Sequence, residues 1–432
     1  MSYTSTTRLG LKKAVPGSAQ PFETTVFNSN WDALDAEATA ADGRLDVLEA
    51  INASGRLNAV EATNTTQDTR LTAIETLNTT QDSRLTAVEG INTTQNTRLT
   101  TLEGRSGRNF ILNSAFDVWQ RGVTFSNPAT LTYLADRWQL SFDGSGATRN
   151  ITQQTFTPGT APVAGYEGSY YLQLAQTVAG TGGTSNLIQQ KIEGVRTLAN
   201  QAITISFWVN VAQATAVNVS ATQNFGTGGS TAVTTSGTSQ NITTTGTWQR
   251  ISFSLTVPSI AGKTIGTAND NLAIAILLPV NATQTVNIWG VQVESGSTVS
   301  SFARSEIGIA TETARCQRYY YRVISQGAYD SFGPGFAYLT TNALFTVPFP
   351  VTMRTVPTID NSSASAFRVT DGNTSTAATG IGQQNGTATF AGVSNQGSVI
   401  NVTVASGLTQ YRPYFLGANN AAGTYLGFSA EL

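Results

Sequence analysis

Arg70-Leu-Thr-Ala-Ile-Glu75, Arg84-Leu-Thr-Ala-Val-Glu89 and Arg98-Leu-Thr-Thr-Leu-Glu103 are three copies of one phrase, Arg-apolar-x-x-apolar-Glu, set 14 residues apart. Two upstream copies, Arg44-Leu-Asp-Val-Leu-Glu49 and Arg56-Leu-Asn-Ala-Val-Glu61, extend the pattern. A 14-residue step is two heptads, so each copy turns the same helix face to a partner, which is the period of a coiled coil. With Leu71 at a and Ile74 at d, the core layers continue through Asn78, Gln81, Leu85, Val88, Asn92, Gln95, Leu99 and Leu102. This register sets Arg70 with Glu75, Arg84 with Glu89 and Arg98 with Glu103 at g and the following e, positions that meet across two parallel strands. Leu at a with a β-branched d residue shifts the preference beyond dimers. The expectation is a parallel three-stranded α-helical coiled coil over residues 31–107, and hence a homotrimer.

The period is not perfect. Arg44 and Arg56 are only 12 residues apart, and Gly43, Gly55 and Gly90 interrupt the pattern. The connectors Asn78-Thr-Thr-Gln-Asp-Ser83 and Asn92-Thr-Thr-Gln-Asn-Thr97 are built from poor helix formers.

Outward from this stretch the composition changes. Charged residues are 12% of the 432, against a globular norm of about 25%, and the net charge is −2. Of the 26 acids, half fall after Glu103, spread over a much longer stretch. The distal chain is therefore polar but nearly uncharged, which argues against nucleic acid, since phosphate binding needs clustered Lys and Arg. No run approaches the roughly 18 apolar residues of a membrane span, and Met1-Ser-Tyr-Thr-Ser5 lacks the basic and apolar regions of a secretion signal. A single cysteine, Cys316, excludes an intrachain disulfide.

Residues 1–30 hold Thr7-Arg-Leu-Gly-Leu-Lys-Lys13, a Pro/Gly stretch from Pro16 and Asn28-Ser-Asn30, too little to bury a core. Trp31 and Leu34 are expected to open the inter-chain core. From Asn109 the period becomes that of strands: Ile203-Thr-Ile-Ser-Phe-Trp-Val-Asn210, Ile251-Ser-Phe-Ser-Leu-Thr-Val257 and Val286-Asn-Ile-Trp-Gly-Val-Gln-Val-Glu294 alternate apolar and polar side chains. The fold class expected is elongated and multidomain: an attachment segment (1–30), the coiled-coil stalk (31–107), an antiparallel β-sandwich of jelly-roll type (108–303) and a second all-β domain (304–432).

Four phrases, Asn109-Phe-Ile-Leu-Asn-Ser-Ala-Phe-Asp-Val-Trp-Gln-Arg-Gly122, Ala135-Asp-Arg-Trp138, Gly246-Thr-Trp-Gln-Arg-Ile-Ser-Phe253 and Val291-Gln-Val-Glu-Ser-Gly296, resemble the jelly-roll domain of bacteriophage tail fibre proteins, a fold similar to carbohydrate-binding modules. The order Glu312-Thr-Ala-Arg-Cys-Gln-Arg-Tyr-Tyr-Tyr-Arg322, Val347-Pro-Phe-Pro-Val-Thr-Met-Arg-Thr-Val-Pro-Thr358 and Gly427-Phe-Ser-Ala-Glu-Leu432 resembles the C-terminal domain of the same proteins. The head resembles their virion-attachment end, and the Arg-to-Glu phrase resembles a trimerisation motif of short parallel coiled coils. The resemblance implies a virion protein made in the host cytoplasm. It would dock on a tail, baseplate or adaptor protein through residues 1–30 and meet a host-surface glycan at its distal end. A polysaccharide depolymerase and a trimeric bacterial adhesin are the alternatives.

The chain has no histidine, which removes the commonest general base and every His-ligated metal site. A carboxylate pair remains as equipment for glycoside hydrolysis. The distal acids are isolated in sequence, however, and Asp136 beside Arg137 and Glu193 near Lys191 read as ion pairs. No enzyme, cofactor or metal is expected. Sugars are held by aromatic faces and neutral hydrogen-bonding groups, which nominates Tyr329, Phe332, Tyr338, Tyr411 and Tyr414 as receptor contacts. Adjacent members of Tyr319-Tyr-Tyr321 must point to opposite faces of a strand.

Overall fold

Two short strands, β1 (Tyr3–Ser5) and β2 (Lys12–Ala14), pair antiparallel and precede two helices, α1 (Glu23–Ala50) and α2 (Ser54–Glu103). The computed structural model describes residues 3–5, 12–14, 23–50, 54–103, 109–163, 167–305, 308–384 and 392–432. The Thr-rich connectors lie within the continuous helix α2, where their hydroxyls find partners on the helix backbone. Thr65, Thr66, Thr79, Thr80, Thr93 and Thr94 each donate to the carbonyl four residues earlier, at 2.8–2.9 Å.

The parallel three-stranded coiled coil is corrected here. Leu34, Glu37 and Ala38 of α1 share the wall of one small cavity with Gln67, Asp68 and Leu71 of α2. Were the helices continuous, Leu34 and Leu71 would stand roughly 55 Å apart at about 1.5 Å per residue. The chain therefore doubles back, and α1 lies antiparallel against α2 as a helical hairpin. Trp31 and Ala41 are buried within this single chain. Leu71, Ile74, Asn78, Gln81 and Leu85 are half-buried, whereas Val88, Asn92 and Gln95 are exposed. The covered stretch ends near where the 28-residue α1 runs out of length against the 50-residue α2. Arg70, Glu75, Arg84 and Glu89 are exposed and form no ion pair among the described residues. The side chains of Arg98, Leu99, Leu102 and Glu103, and most of the attachment segment 1–30, lie outside the described residues. The physical reason for the correction is that a heptad stripe demands a covering helix without saying which chain supplies it. The 12-residue step between Arg44 and Arg56 spans the place where α1 ends and α2 begins.

The helices belong to one compact unit, Met1–Thr101, and everything from Leu102 to Leu432 to a second. In the second, twelve strands come first: β3 (Thr124–Ser126), β4 (Gln139–Phe142), β5 (Thr148–Thr155), β6 (Tyr170–Val178), β7 (Asn186–Glu193), β8 (Gln201–Val211), β9 (Thr215–Asn224), β10 (Val233–Ser236), β11 (Gln240–Ile242), β12 (Gln249–Val257), β13 (Asn271–Leu277) and β14 (Gln284–Ser295). They form two antiparallel sheets, β10-β9-β13-β7-β4 with β11 beside β9, and β12-β8-β14-β6-β5-β3. Alternation places Ile203, Ile205, Phe207 and Val209 of β8 and Ile251, Phe253 and Leu255 of β12 in the shared core. In β14 a bulge between Trp289 and Gln292 lets Ile288 and Val291 both face inward. Gly290 takes φ +63 there, and a Cβ on it would meet the Trp208 ring at 2.8 Å.

Helix α3 (Ile309–Gln317) leads to β15 (Tyr320–Ile324), β16 (Ser331–Ala337), β17 (Asn342–Pro348), β18 (Thr358–Asn361), β19 (Phe367–Thr370), β20 (Ser375–Gln383), β21 (Gly397–Val404), β22 (Pro413–Ala418) and β23 (Tyr425–Ser429). Six of these close a barrel in the order β16-β17-β21-β20-β19-β22, and β15-β23-β18 make a three-stranded sheet. Phe345, Phe367, Val402, Leu416 and Phe428 share one core. Both β bodies fall within the unit from Leu102 to Leu432. Gln120 Nε2 donates to Tyr320 O (2.7 Å), Arg322 donates to Gln120 O (3.2 Å), and the Arg121 guanidinium lies 3.5 Å over the Tyr320 ring.

Candidate functional site

The register of three barrel strands decides which aromatic residues face outward. On β22 Tyr414 and Leu416 point into the core, so Pro413 and Phe415 point out. Pairing sets Pro334 of β16 opposite Phe415 and Phe336 opposite Pro413. On the far side of β22, Thr370 of β19 stands opposite Phe415 and Arg368 opposite Gly417. The result is a strip of rings and prolines on the outer barrel wall, with Phe415 48% and Phe336 37% exposed. From Tyr411 to Gly417 it runs roughly 20 Å at about 3.3 Å per residue.

Both ends of the strip carry a tyrosine. Tyr411 is 76% exposed and sits in the left-handed region at φ +66, unusual for a bulky residue. Its loop is pinned from below: Tyr411 N donates to Ala337 O (2.6 Å), Arg412 N donates to Thr409 O (3.2 Å), and Thr409 N donates to the Tyr414 hydroxyl (3.0 Å). Arg412 beside it pairs with Asp371 at 2.8 Å. The amides of Thr374 and Asn373 hold the Asp371 carboxyl down to about 2, so Asp371 stays ionised. At the other end Tyr329 is 54% exposed, with the Arg368 guanidinium 4.6 Å over its ring. The Asp330 carboxylate accepts from the amides of Gln326 and Gly327, at 2.7 Å each, which fixes the turn carrying Tyr329.

The five nominated aromatics thus part company. Tyr329 and Tyr411 are on the surface. Tyr414 is buried in the barrel, its hydroxyl holding the Tyr411 loop, and Phe332 packs inward on Phe367 (5.3 Å). Tyr338 is half-buried, with Asn401 donating to its hydroxyl (3.3 Å). Phe336 and Phe415 were missed by the sequence reading. The available sign was a repeated Pro-x-Phe, Pro334-Gly-Phe336 and Pro413-Tyr-Phe415. Nothing local says that these two phrases lie side by side.

The sandwich also gathers rings, but spends most of them on packing. Phe156, Trp208 and Trp289 are buried together, with Tyr171, Trp248 and Phe302 half-buried against them. A Cβ on Gly168 would touch the Trp289 ring at 2.9 Å, so the loop there lies directly on it. The acids are likewise engaged in the fold. Asp136 accepts from Gln120 and has Arg121 at 4.0 Å, where Arg137 was the expected partner. Arg137 pairs with Glu431, and Glu193 with Arg318 (3.2 Å) instead of Lys191. Asp143 accepts from Thr184 and Ser185, Glu294 from Ser300, and Asp360 from Tyr320. Burial pushes the Cys316 thiol well up, which leaves it a poor nucleophile. No group of three metal-ligating side chains exists among the described residues, and none of their helices is long and apolar enough to cross a membrane.

The chain matches no family model and no curated relative. Among solved structures it is similar to the CBM22-2 xylan-binding domain of Paenibacillus barcinonensis Xyn10C, at 14% identity over 37% of this chain and 92% of that one, TM-score 0.26. It is also similar to the enzymatically active domain of tailspike protein 4 of bacteriophage CBA120, at 15% identity over 44% of this chain and 21% of that one, TM-score 0.28. A third, described as a CBM4 structure, shares 18% identity over 43% and 98%, TM-score 0.26. No residue role is carried over from any of them.

Proposed function

We propose that this chain is a receptor-binding protein of the phage tail fibre type, a structural virion protein that adheres to host-surface polysaccharide through the aromatic strip of its barrel. The observation that carries the reading is the strip itself: Phe336 and Phe415, with Pro334 and Pro413, set side by side on adjacent strands and flanked by Tyr411 and Tyr329. Exposed rings held on a rigid sheet suit the C–H faces of sugars, and they lose little conformational freedom on contact. Polar groups border the rings, with Thr370 opposite Phe415, and the charges beside them are engaged: Arg412 with Asp371 and Arg368 over the Tyr329 ring. The four phrases of the jelly-roll region and the order of the C-terminal phrases support the phage reading. Docking on a tail, baseplate or adaptor belongs to residues 1–30. Each site is weak, and several copies on one virion make the attachment firm by effective concentration. The reading is of adhesion without cleavage, supported by acids that are tied into the fold.

The test uses the full chain on cells of a susceptible host. Labelled protein is expected to coat the cells and block phage adsorption, while Tyr411→Ala with Phe415→Ala loses most of both. The double variant should keep its stability to within about 0.5 kcal/mol per substitution, since both side chains are exposed. Equal coating by the double variant removes the strip from the reading, and failure of the parent protein removes the reading. Release of reducing ends from host polysaccharide would convert it to a depolymerase.

A further inference from the structure

The aromatic strip of the barrel is laid out as a line. Tyr411 stands just ahead of β22, Pro413 follows with Phe336 opposite it, Phe415 comes next with Pro334 opposite, and Gly417 ends the row with Arg368 opposite. The Arg368 guanidinium in turn lies over the Tyr329 ring. Four ring stations, Tyr411, Phe336, Phe415 and Tyr329, therefore follow one another along the wall, set by strand positions two residues apart, a step of about 6–7 Å at about 3.3 Å per residue. Each is held in place by the fold itself. Phe336 and Phe415 sit on paired strands, the Tyr411 amide donates to Ala337 O, and Tyr329 is fixed by Arg368 and by the Asp330 turn.

Shape and charge both limit what can lie on this line. It runs over the outside of a closed barrel, a wall that curves away from a ligand, whereas sites for single small molecules are concave and cover most of the ligand surface. One sugar unit on such a wall is touched from one side only, so affinity has to accumulate from unit to unit. As for charge, Arg412 pairs with Asp371 at 2.8 Å, Arg368 is stacked on Tyr329 with Ser375 Oγ at 3.4 Å, and the Asp330 carboxylate accepts from two amides. The charged side chains along the line are thus taken up within the fold, and an acidic chain gains nothing there over a neutral one.

We infer that the strip binds the interior of a linear, neutral polysaccharide, several contiguous sugar units at once, with Phe336 and Phe415 as the central stations and Tyr411 and Tyr329 as the outer ones. Free monosaccharides and acidic chains are poor ligands. The inference rests on the polysaccharide reading of the strip and adds to it the length and the charge of the chain.

The test is calorimetric titration of the full chain with oligosaccharides released by mild acid from the surface polysaccharide of a susceptible host and sorted by length and by charge. Affinity for the neutral fractions is expected to be absent for single sugars, to rise with length, and to level off once a chain reaches both tyrosines. Tyr411→Ala and Tyr329→Ala each remove an exposed outer ring and should melt with the parent. Each should weaken binding of the longest fraction by about fivefold, the worth of one stacked ring, and bring the levelling-off to a shorter chain. Phe415→Ala should weaken every fraction that binds. Single sugars that bind as tightly as long chains, a preference for acidic fractions, binding of the intact polymer alone, or outer variants that level off at the parent's length overturn the inference and leave the polysaccharide reading standing. Parent protein that binds neither the fractions nor the intact polymer removes that reading, and the inference falls with it.

Discussion

Glu312 shows what single residues contribute at the junction. It lies on α3, is 2% exposed, and accepts from the Asn113 amide and from Ser305 Oγ (3.1 Å). Burial raises its carboxyl above the ordinary 4.5, and burial likewise raises neighbouring Asp117, with Glu312 adding to that rise. A raised folded-state value means that the contribution to stability is whole below the unfolded value and is lost as the pH climbs through the folded one. Melting temperatures from about pH 4 to 7 should therefore fall for the parent relative to Glu312→Gln, which has no proton to lose. Parallel curves for the two proteins would mean that this carboxyl does not sense folding. Nothing local in the sequence says that the acid of α3 is driven into the Asn113 turn, 199 residues away in the chain.

Among elements, the barrel depends on β16 and β17 approaching closely at one place. Gly335 stands opposite Phe345, and a Cβ there would lie 2.0 Å from Leu344 O and 2.5 Å from the Phe345 ring. Both neighbours are fixed, one by its backbone and the other by the core, so Gly335→Ala should cost about 1–3 kcal/mol by overpacking. The midpoint of denaturant unfolding measures it, and an unshifted midpoint would show that the seam yields. Strand pattern was legible in β8, β12 and β14, where apolar and polar residues alternate, without a break over residues 251–257. It was not legible in Pro413-Tyr-Phe-Leu-Gly-Ala418, where every second residue is apolar on both faces. Burying Tyr414 and exposing Phe415 is settled by barrel closure. The heptads of α2 were equally plain, and their misreading as a three-chain seam came from treating periodicity as if it named the partner.

For the whole molecule, the last strand ties the second unit together. β23 runs between β15 and β18, Phe428 packs on Phe349 at 4.9 Å, and Glu431 just beyond reaches Arg121 (3.3 Å) and Arg137 in the sandwich. Arg354 donates to the main-chain oxygens of Ala430 (2.7 Å) and Glu431 (2.8 Å), and Tyr133 to that of Leu432 (2.9 Å). Glu431→Ala leaves the Arg137 charge buried with no carboxylate, a loss of about 3–5 kcal/mol. Apart from Trp31, all the tryptophans lie between residues 119 and 289, inside the sandwich. Their fluorescence should report the loss although the substitution is far along the chain. A sandwich transition that does not move would show two β bodies that unfold separately.

By itself the sequence determined where helices give way to strands, which strands alternate, and that the distal chain is built for neutral polar contact. These follow from local periodicity and composition, which act over a few residues. The tertiary structure alone decided that α1 covers α2, that Tyr414 is core while Phe415 is surface, and that Phe336 stands beside Pro413. Each of those depends on contacts between segments tens to hundreds of residues apart, and the free energy of such contacts exists only once the chain has closed on itself.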